Sequence, residues 1–173
     1  GFFLCSTPPA GGLTTLINAT AGVIDRYMRS VVGVEEVNSQ DTKVENVQVT
    51  TFDAAAGQTP ATVLPEMMRQ YPDAYVCPDL VDANTVAILC GEVGEERMIV
   101  AGIRAKDAAE SLLRVLMLKV PLKQFVPVVS GVINQRLVRK LCEKCKEEYA
   151  PPAQVVQQLA AAGLQAAQRL ERG

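Results

Sequence analysis

Apolar and polar positions along this chain fall into short alternating blocks. Phe2 to Cys5 is a continuous apolar run, the pattern of a strand buried on both faces. From Thr14 to Ser30, Leu16, Ile17, Ala21, Ile24, Tyr27 and Met28 recur at helical spacing. Val31-Val32-Gly33-Val34 is a second apolar run, closed by Glu35-Glu36. A polar stretch from Asn38 to Lys43 reads as loop, and Val44 to Phe52 alternates as a half-exposed strand does. Asp53 to Thr59 is a Gly- and Ala-rich loop. Thr59 or Thr62 can cap a helix running to Tyr71; Pro60 suits its first turn, whereas Pro65 sits badly unless the helix starts later. Ala74 to Cys77 is a third buried run, and Asp82 predicts the N-cap of a helix through Val86, Ile88 and Leu89, broken at Gly91 to Glu96. Met98 to Ile103 is a fourth strand, and Lys106 to Leu118 a strongly amphipathic helix. Val128 to Leu141 reads as a helix with a basic end at Arg136, Arg139 and Lys140. Gln154 to Arg172 reads as an Ala/Gln/Leu helix interrupted at Gly163. Strands alternating with helices predict an α/β fold with a mainly parallel central sheet and helices on both faces.

Composition narrows the chemistry. With 173 residues the chain can bury one substantial core. It is 49% hydrophobic and 21% charged, with a net charge of −2, so nothing pulls it in bulk toward nucleic acid or anionic membrane. Histidine is absent, which removes His bases, Ser-His and Cys-His nucleophiles and His-ligated metals. Trp is absent and aromatics are scarce, so no stacking platform for single strands is expected, and no nucleic-acid partner. Cys5, Cys77 and Cys90 lie in apolar runs and are expected as buried reduced thiols. The chain opens on Gly1 directly ahead of a strand and is expected to be cut from a longer protein.

Between the first strand and the first helix lies Ser6-Thr7-Pro8-Pro9-Ala10-Gly11-Gly12-Leu13-Thr14-Thr15. Strand, tight loop and helix is the setting of a phosphate-binding P-loop, whose pattern is Gly, four residues, then Gly-Lys-Ser/Thr. Here Thr7 holds the first Gly position and Leu13 the Lys position, while Gly12 and Thr14 remain. An ordinary strand-to-helix turn satisfies the same residues.

Val132-Ile133-Asn134-Gln135-Arg136-Leu137-Val138-Arg139-Lys140-Leu141-Cys142-Glu143-Lys144-Cys145-Lys146 closely resembles the segment before the zinc motif of type II secretion and type IV pilus assembly ATPases. Other boxes of that family then line up in order over residues 1–150. The loop from Thr7 to Thr15 looks like its Walker A, and Val34-Glu35-Glu36 like its acidic box. Met68 to Asp82 resembles its Walker B segment, with Arg69, Gln70, Pro72, Asp73 and Asp82 matching and Asp79 in place of the catalytic Glu. Arg97 and Arg104 stand at its two His positions.

The resemblance implies a RecA-like P-loop NTPase core over residues 1–141, and a partial CxxC element with a C-terminal helical segment over 142–173. It implies ATP and Mg²⁺ as ligands. Gly11, Gly12, Leu13, Thr14 and Thr15 would lie at the nucleotide, Thr14 would bind Mg²⁺, and Asp79, Glu35 and Glu36 would fill the catalytic positions. It further implies partners in secretion or pilus machinery at the inner membrane, a homo- or hetero-hexamer, and a cytoplasmic location peripheral to that membrane. Cys142 and Cys145 are half of a four-ligand zinc site, so zinc is expected only if a second CxxC is supplied from outside the segment.

The substitutions argue against efficient hydrolysis. Leu13 is expected to bring an apolar side chain to the place of a phosphate and no cation. Pro8-Pro9 stiffens the loop and removes two N–H donors. Asp79 shortens a carboxylate's reach by roughly 1.5 Å, which a water-orienting base tolerates poorly. Asp79 also suits a loop or N-cap, Glu35 and Glu36 a solvated strand end, and Arg97 and Arg104 surface charge. A degenerate ATPase, a working one with atypical residues, and an interaction domain docking through Arg136 to Lys146 all remain open.

Overall fold

Strand residues in this protein alternate between two separate cores. Phe2, Leu4, Val32, Val34, Tyr75, Cys77, Ile99, Ala101 and Ile103 point into one, and Cys5, Val31, Ala74, Val76 and Val100 into the other. That period of two is what a sheet covered on both faces requires. The computed structural model describes residues 1–39, 44–94, 96–163 and 170–172.

The chain runs β1 (Phe2–Thr7), α1 (Leu13–Gly22), β2 (Val31–Glu36), β3 (Val47–Phe52), α2 (Pro60–Met68), β4 (Ala74–Cys77), α3 (Ala83–Glu92), β5 (Met98–Arg104), α4 (Ala108–Met117), α5 (Leu122–Phe125) and β6 (Val129–Asn134). Six strands form one sheet in the order β3-β2-β4-β5-β1-β6, and every pairing is parallel. Parallel strands place all their C-terminal ends on one edge, where ligands of open α/β sheets bind. Leu13, Leu16, Ile17 and Ala21 of α1 cover one face. Leu64 and Met67 of α2, Val86 and Leu89 of α3, Val115 of α4 and Phe125 of α5 cover the other. Each of the larger of these side chains, fully buried, contributes roughly 1.5–3 kcal/mol.

Three expected helices are corrected, two of them in residues 1–141. The first helix ends at Gly22, well short of Ser30, and Tyr27 and Met28 are exposed. Asp25 accepts from the backbone N–H of Tyr27 and Met28, and that turn competes with helix continuation. Val128 to Leu141 is not a helix: Val129–Asn134 is β6, hydrogen-bonded beside β1, and residues 135–141 are irregular. β-branched Val129, Val132 and Ile133 favour the pleated conformation over a helix. Pro65 does lie inside α2, on its exposed side. Asp82 caps α3 as expected, accepting from Thr85 N at 2.8 Å.

The chain divides into two compact units, 1–137 and 138–173. The second unit contains β7 (Glu147–Tyr149), α6 (Ala153–Ala161) and β8 (Leu170–Arg172), with β7 and β8 antiparallel. The expected helix over 154–172 is thus a shorter helix followed by a strand; residues 164–169, like 40–43 of the expected polar loop, lie outside the described residues. Among the described residues no helix is long and apolar enough to cross a membrane.

Candidate functional site

The loop after β1 is shaped by backbone. Gly11 N–H donates to the Pro8 carbonyl at 2.9 Å. A Cβ on Gly11 would lie 2.7 Å from that oxygen and 2.8 Å from Thr7 Cβ, so only glycine fits. Ala10 (φ 57°) and Gly12 (φ 82°) are left-handed; for Ala10 that conformation costs about 1 kcal/mol. Gly12 is the N-cap of α1 and offers no side-chain cap. A cradle too tight for a Cβ, opening onto an uncapped helix start, suits an anion held by backbone N–H groups. Thr14 is half-buried and Thr15 exposed on the first turn. Thr7 Oγ1 is buried beneath the loop without a hydrogen-bond partner.

Leu13 departs from expectation. It is 8% exposed and packs on the face of α1 that carries Leu16 and Ile17. Its side chain therefore points into the core instead of occupying a phosphate position. Spacing explains this, because positions 13, 16 and 17 share one helix face. The loop loses a cation here but is not blocked.

Neighbouring segments tie this loop down. Ala105 N–H donates to the Thr7 carbonyl and Gln135 N–H to the Ser6 carbonyl. Gln135 Nε2 reaches the Gly11 carbonyl at 3.4 Å. Beneath it, Ser6 Oγ receives Ser111 Oγ–H at 2.7 Å and Asn134 Nδ2 at 2.9 Å. Above it opens a cleft of about 340 Å³, lined by Pro8 to Gly11 with Lys106 and Arg136. Arg136 Nε and Nη2 clamp the Lys106 carbonyl at 3.2 and 2.7 Å.

The three acidic candidates meet elsewhere on the same edge. Glu35, Glu36 and Asp79 line a cavity of about 490 Å³ at the ends of β2 and β4, walled by Phe52, Pro78 and Val81. Glu35 is almost wholly buried, and Glu36 accepts from Asn38 Nδ2 at 2.9 Å. Asp79 is exposed by area, yet the surrounding walls strip enough water to push its carboxyl above the ordinary range, and Arg104 partly opposes this. Leu80 N–H donates to the Gly102 carbonyl at 2.9 Å and holds the Asp79 turn against β5. Although they share a cavity, the three acids do not converge: among the described residues no group of three or more His, Cys, Asp or Glu is placed to hold a metal.

The two arginines at the family's His positions separate. Arg104 sits at the C-terminal end of β5, beside Asp79. Arg97 lies just before β5, at the opposite end of the strand, paired with Glu92 at 2.7 Å. Cys5, Cys77 and Cys90 are buried as expected; burial pushes the Cys77 thiol up to about 12, which leaves it an inert thiol beside Asp79. In the second unit Cys142 and Cys145 are exposed, and hydrogen bonds from the Lys144 backbone N–H and then from Cys145 draw the Cys142 thiol down. Two sulfurs do not complete a four-ligand zinc site. Sequence reasoning missed Lys106 as a site residue and treated Arg136 only as part of a basic helix end. The signal available was Arg136, a cation inside the segment that resembled the family most.

A family model described as Type II/IV secretion system protein matches residues 1–173. The chain is 26% identical to the type IV pilus assembly ATPase PilB of Thermus thermophilus over 160 residues, covering 92% of this chain and 18% of that protein. It is 27% identical to the type II secretion system protein HxcR of Pseudomonas aeruginosa over 149 residues, covering 86% of this chain and 31% of that one. The chain thus spans less than a third of the length of either relative. Among solved structures it resembles the pilus retraction motor PilT with bound ADP (TM-score 0.61, 16% identity, 83% of this chain and 44% of that one). It also resembles the VirB11 ATPase of the Brucella suis type IV secretion system in complex with sulphate (TM-score 0.62, 16% identity, 80% and 47%). These structural likenesses show a shared fold, an α/β sheet of the RecA-like type.

Proposed function

The chain belongs to the type II/IV secretion system protein family, and on that premise we propose that it is the ATPase-type domain of a type II secretion or type IV pilus assembly machine in which hydrolysis is impaired. It acts as a structural or regulatory motor component, in a homo- or hetero-hexamer docked on machinery proteins at the inner membrane. The observation that carries this reading is Leu13. The position from which a P-loop cation reaches the β- and γ-phosphates holds a side chain locked in the core.

ATP bound here would supply the phosphoanhydride. Gly11, Gly12 and the first turn of α1 would hold its phosphates by backbone, and the Thr14 hydroxyl would face Mg²⁺. Asp79, Glu35 and Glu36 would supply the water-orienting carboxylate, but Asp79 is one methylene short and lies beside Arg104. An oriented cation missing from a partly dry site costs about 2.7–4 kcal/mol of transition-state stabilisation, or about 10²–10³ in rate.

Phosphate release from ATP and Mg²⁺ by the intact protein tests the reading. Turnover at or below background supports it, and turnover of the order of 1 s⁻¹ overturns it. The gathering of three acids around one cavity favours a second reading, a working ATPase with atypical residues, and that same turnover would establish it. Zinc binding, with a second CxxC supplied from outside residues 1–173, is a separate proposal, checked by zinc content of the intact protein.

A further inference from the structure

The cleft over the loop carries two cations and no carboxylate among its lining residues. It is also the cleft from which the P-loop's own cation is missing. Lys106 comes from the β5–α4 connection and Arg136 from the segment after β6, and neither belongs to the loop's sequence pattern. From these facts we infer that the cleft seats a phosphate group, with Lys106 and Arg136 supplying the positive charge that position 13 lacks.

Both side chains ride on fixed backbone. Ala105 N–H is bonded to Thr7, and Gln135 N–H to Ser6, so the two cation-bearing segments are stitched to the strand that ends in the loop. The clamp of Arg136 on the Lys106 carbonyl ties the two segments to each other and uses Nε and Nη2, with Nη1 taking no part in it. The nearest acids in sequence, Asp107 and Glu110, are already committed: Asp107 Oδ1 accepts from Glu110 N at 2.7 Å, and the Glu110 oxygens accept from Lys106 N, Arg114 Nε and Arg114 Nη2 at 2.9–3.0 Å. Gly11 N–H is taken by the Pro8 carbonyl, so the backbone donors come from the uncapped start of α1 that follows Gly12, which adds N–H groups and a positive helix end. Two cations from different loops plus backbone donors can hold a phosphate without a lysine at position 13.

The inference rests on reading the loop as a nucleotide-type loop, but it fails separately from impaired hydrolysis. Its ligand chemistry is a phosphate group, whether of a nucleotide or of free pyrophosphate. Calorimetric titration of the intact protein with ADP and with sodium pyrophosphate, at low ionic strength, distinguishes these sources. Binding of both assigns the seat to phosphate itself, and binding of ADP alone assigns it to a nucleotide. In either case Lys106→Gln is expected to weaken binding about tenfold or more, and Lys106→Arg to keep it within about threefold. Lys106 is exposed, so the melting temperature of the unliganded Lys106→Gln protein stays unchanged and excludes misfolding as the cause. Binding of neither probe, or binding that Lys106→Gln leaves intact, overturns the inference. Brisk ATP turnover with binding still dependent on Lys106 would overturn the proposed function and leave this seat standing.

Discussion

The cleft over the loop and the acidic cavity share one edge of the sheet and differ in almost every other respect. Strand β5 lies between β1, which ends in the first, and β4, which opens into the second, so about 10 Å of sheet separates them. The cleft is built of backbone and borrows its charge from Lys106 and Arg136, far along the chain. The cavity carries its charge on the strand ends themselves, as Glu35, Glu36 and Asp79. One region is positive without an acid, and the other holds all three acidic candidates. On the proposed reading, phosphates would lie toward the positive side and the attacking water toward the acidic one. The two regions would then be the two halves of an ATPase-type site, with the phosphate seat kept by new means and the acids set apart from it.

The severest way to break this arrangement is to disturb the strand between the regions. A Cβ on Gly102 of β5 would overlap the Pro78 carbonyl and lie 2.7 Å from Ile17 Cδ1. Gly102→Ala is expected to destabilise by about 3 kcal/mol or more in urea unfolding, because both neighbours are held by packing. Less than about 1 kcal/mol would mean that β4 and β5 can move apart freely.

Leu13→Lys tests the cleft alone. The new ammonium would replace a core side chain, so we expect a loss of about 2–3 kcal/mol and no gain in turnover. Leu13→Met, which conserves volume, should stay under about 1.5 kcal/mol in the same denaturation series. Clear ATP turnover in Leu13→Lys would show that the side chain reaches the phosphates after all.

On the acidic side, Asp82 fixes α3 next to the cavity. Its carboxylate accepts from Thr85 N at 2.8 Å and Thr85 Oγ1 at 2.6 Å. Asp82→Ala is expected to cost about 1–2 kcal/mol, read from the shift of the urea midpoint.

The smallest effect concerns Asp79. Its folded pKa is raised, so the folded state holds the proton more tightly than the unfolded chain does, and ionising it weakens stability. That loss develops as pH rises from the ordinary Asp value through the raised folded one. Asp79→Asn should therefore raise the melting temperature slightly at pH 7, with the gain vanishing below the ordinary carboxylate pKa. A fall in melting temperature at pH 7 would make Arg104 the dominant influence.

The legibility of the sequence follows the same division. Continuous apolar runs disclosed β1, β4 and β5, because strands covered on both faces have no polar side to show. Asp82 disclosed the start of α3, since a cap is a local event. β6 stayed hidden: the apolar residues at 128, 129, 132 and 133, of which the last three lie in β6, fit a helix face as well as a strand, and only pairing with β1 decides. Glu35, Glu36 and Asp79 could be singled out because the segments that carry them match a pattern of adjacent residues. Lys106 could not, since its role depends on where β5 and β6 end beside β1. Leu13 begins α1, but its side chain is buried and not turned toward the loop as expected, because a motif gives position while the helix face gives direction.

All six strands of the main sheet run parallel, so six loop ends gather on one rim while the core beneath is shared. In evolutionary terms the rim is a set of interchangeable contributors. A charge deleted from one connection is open to replacement from another without a single change in the buried sheet. A lineage of such chains can drift out of a motif and stay within the family, and the motif's spelling then records ancestry more faithfully than present capability.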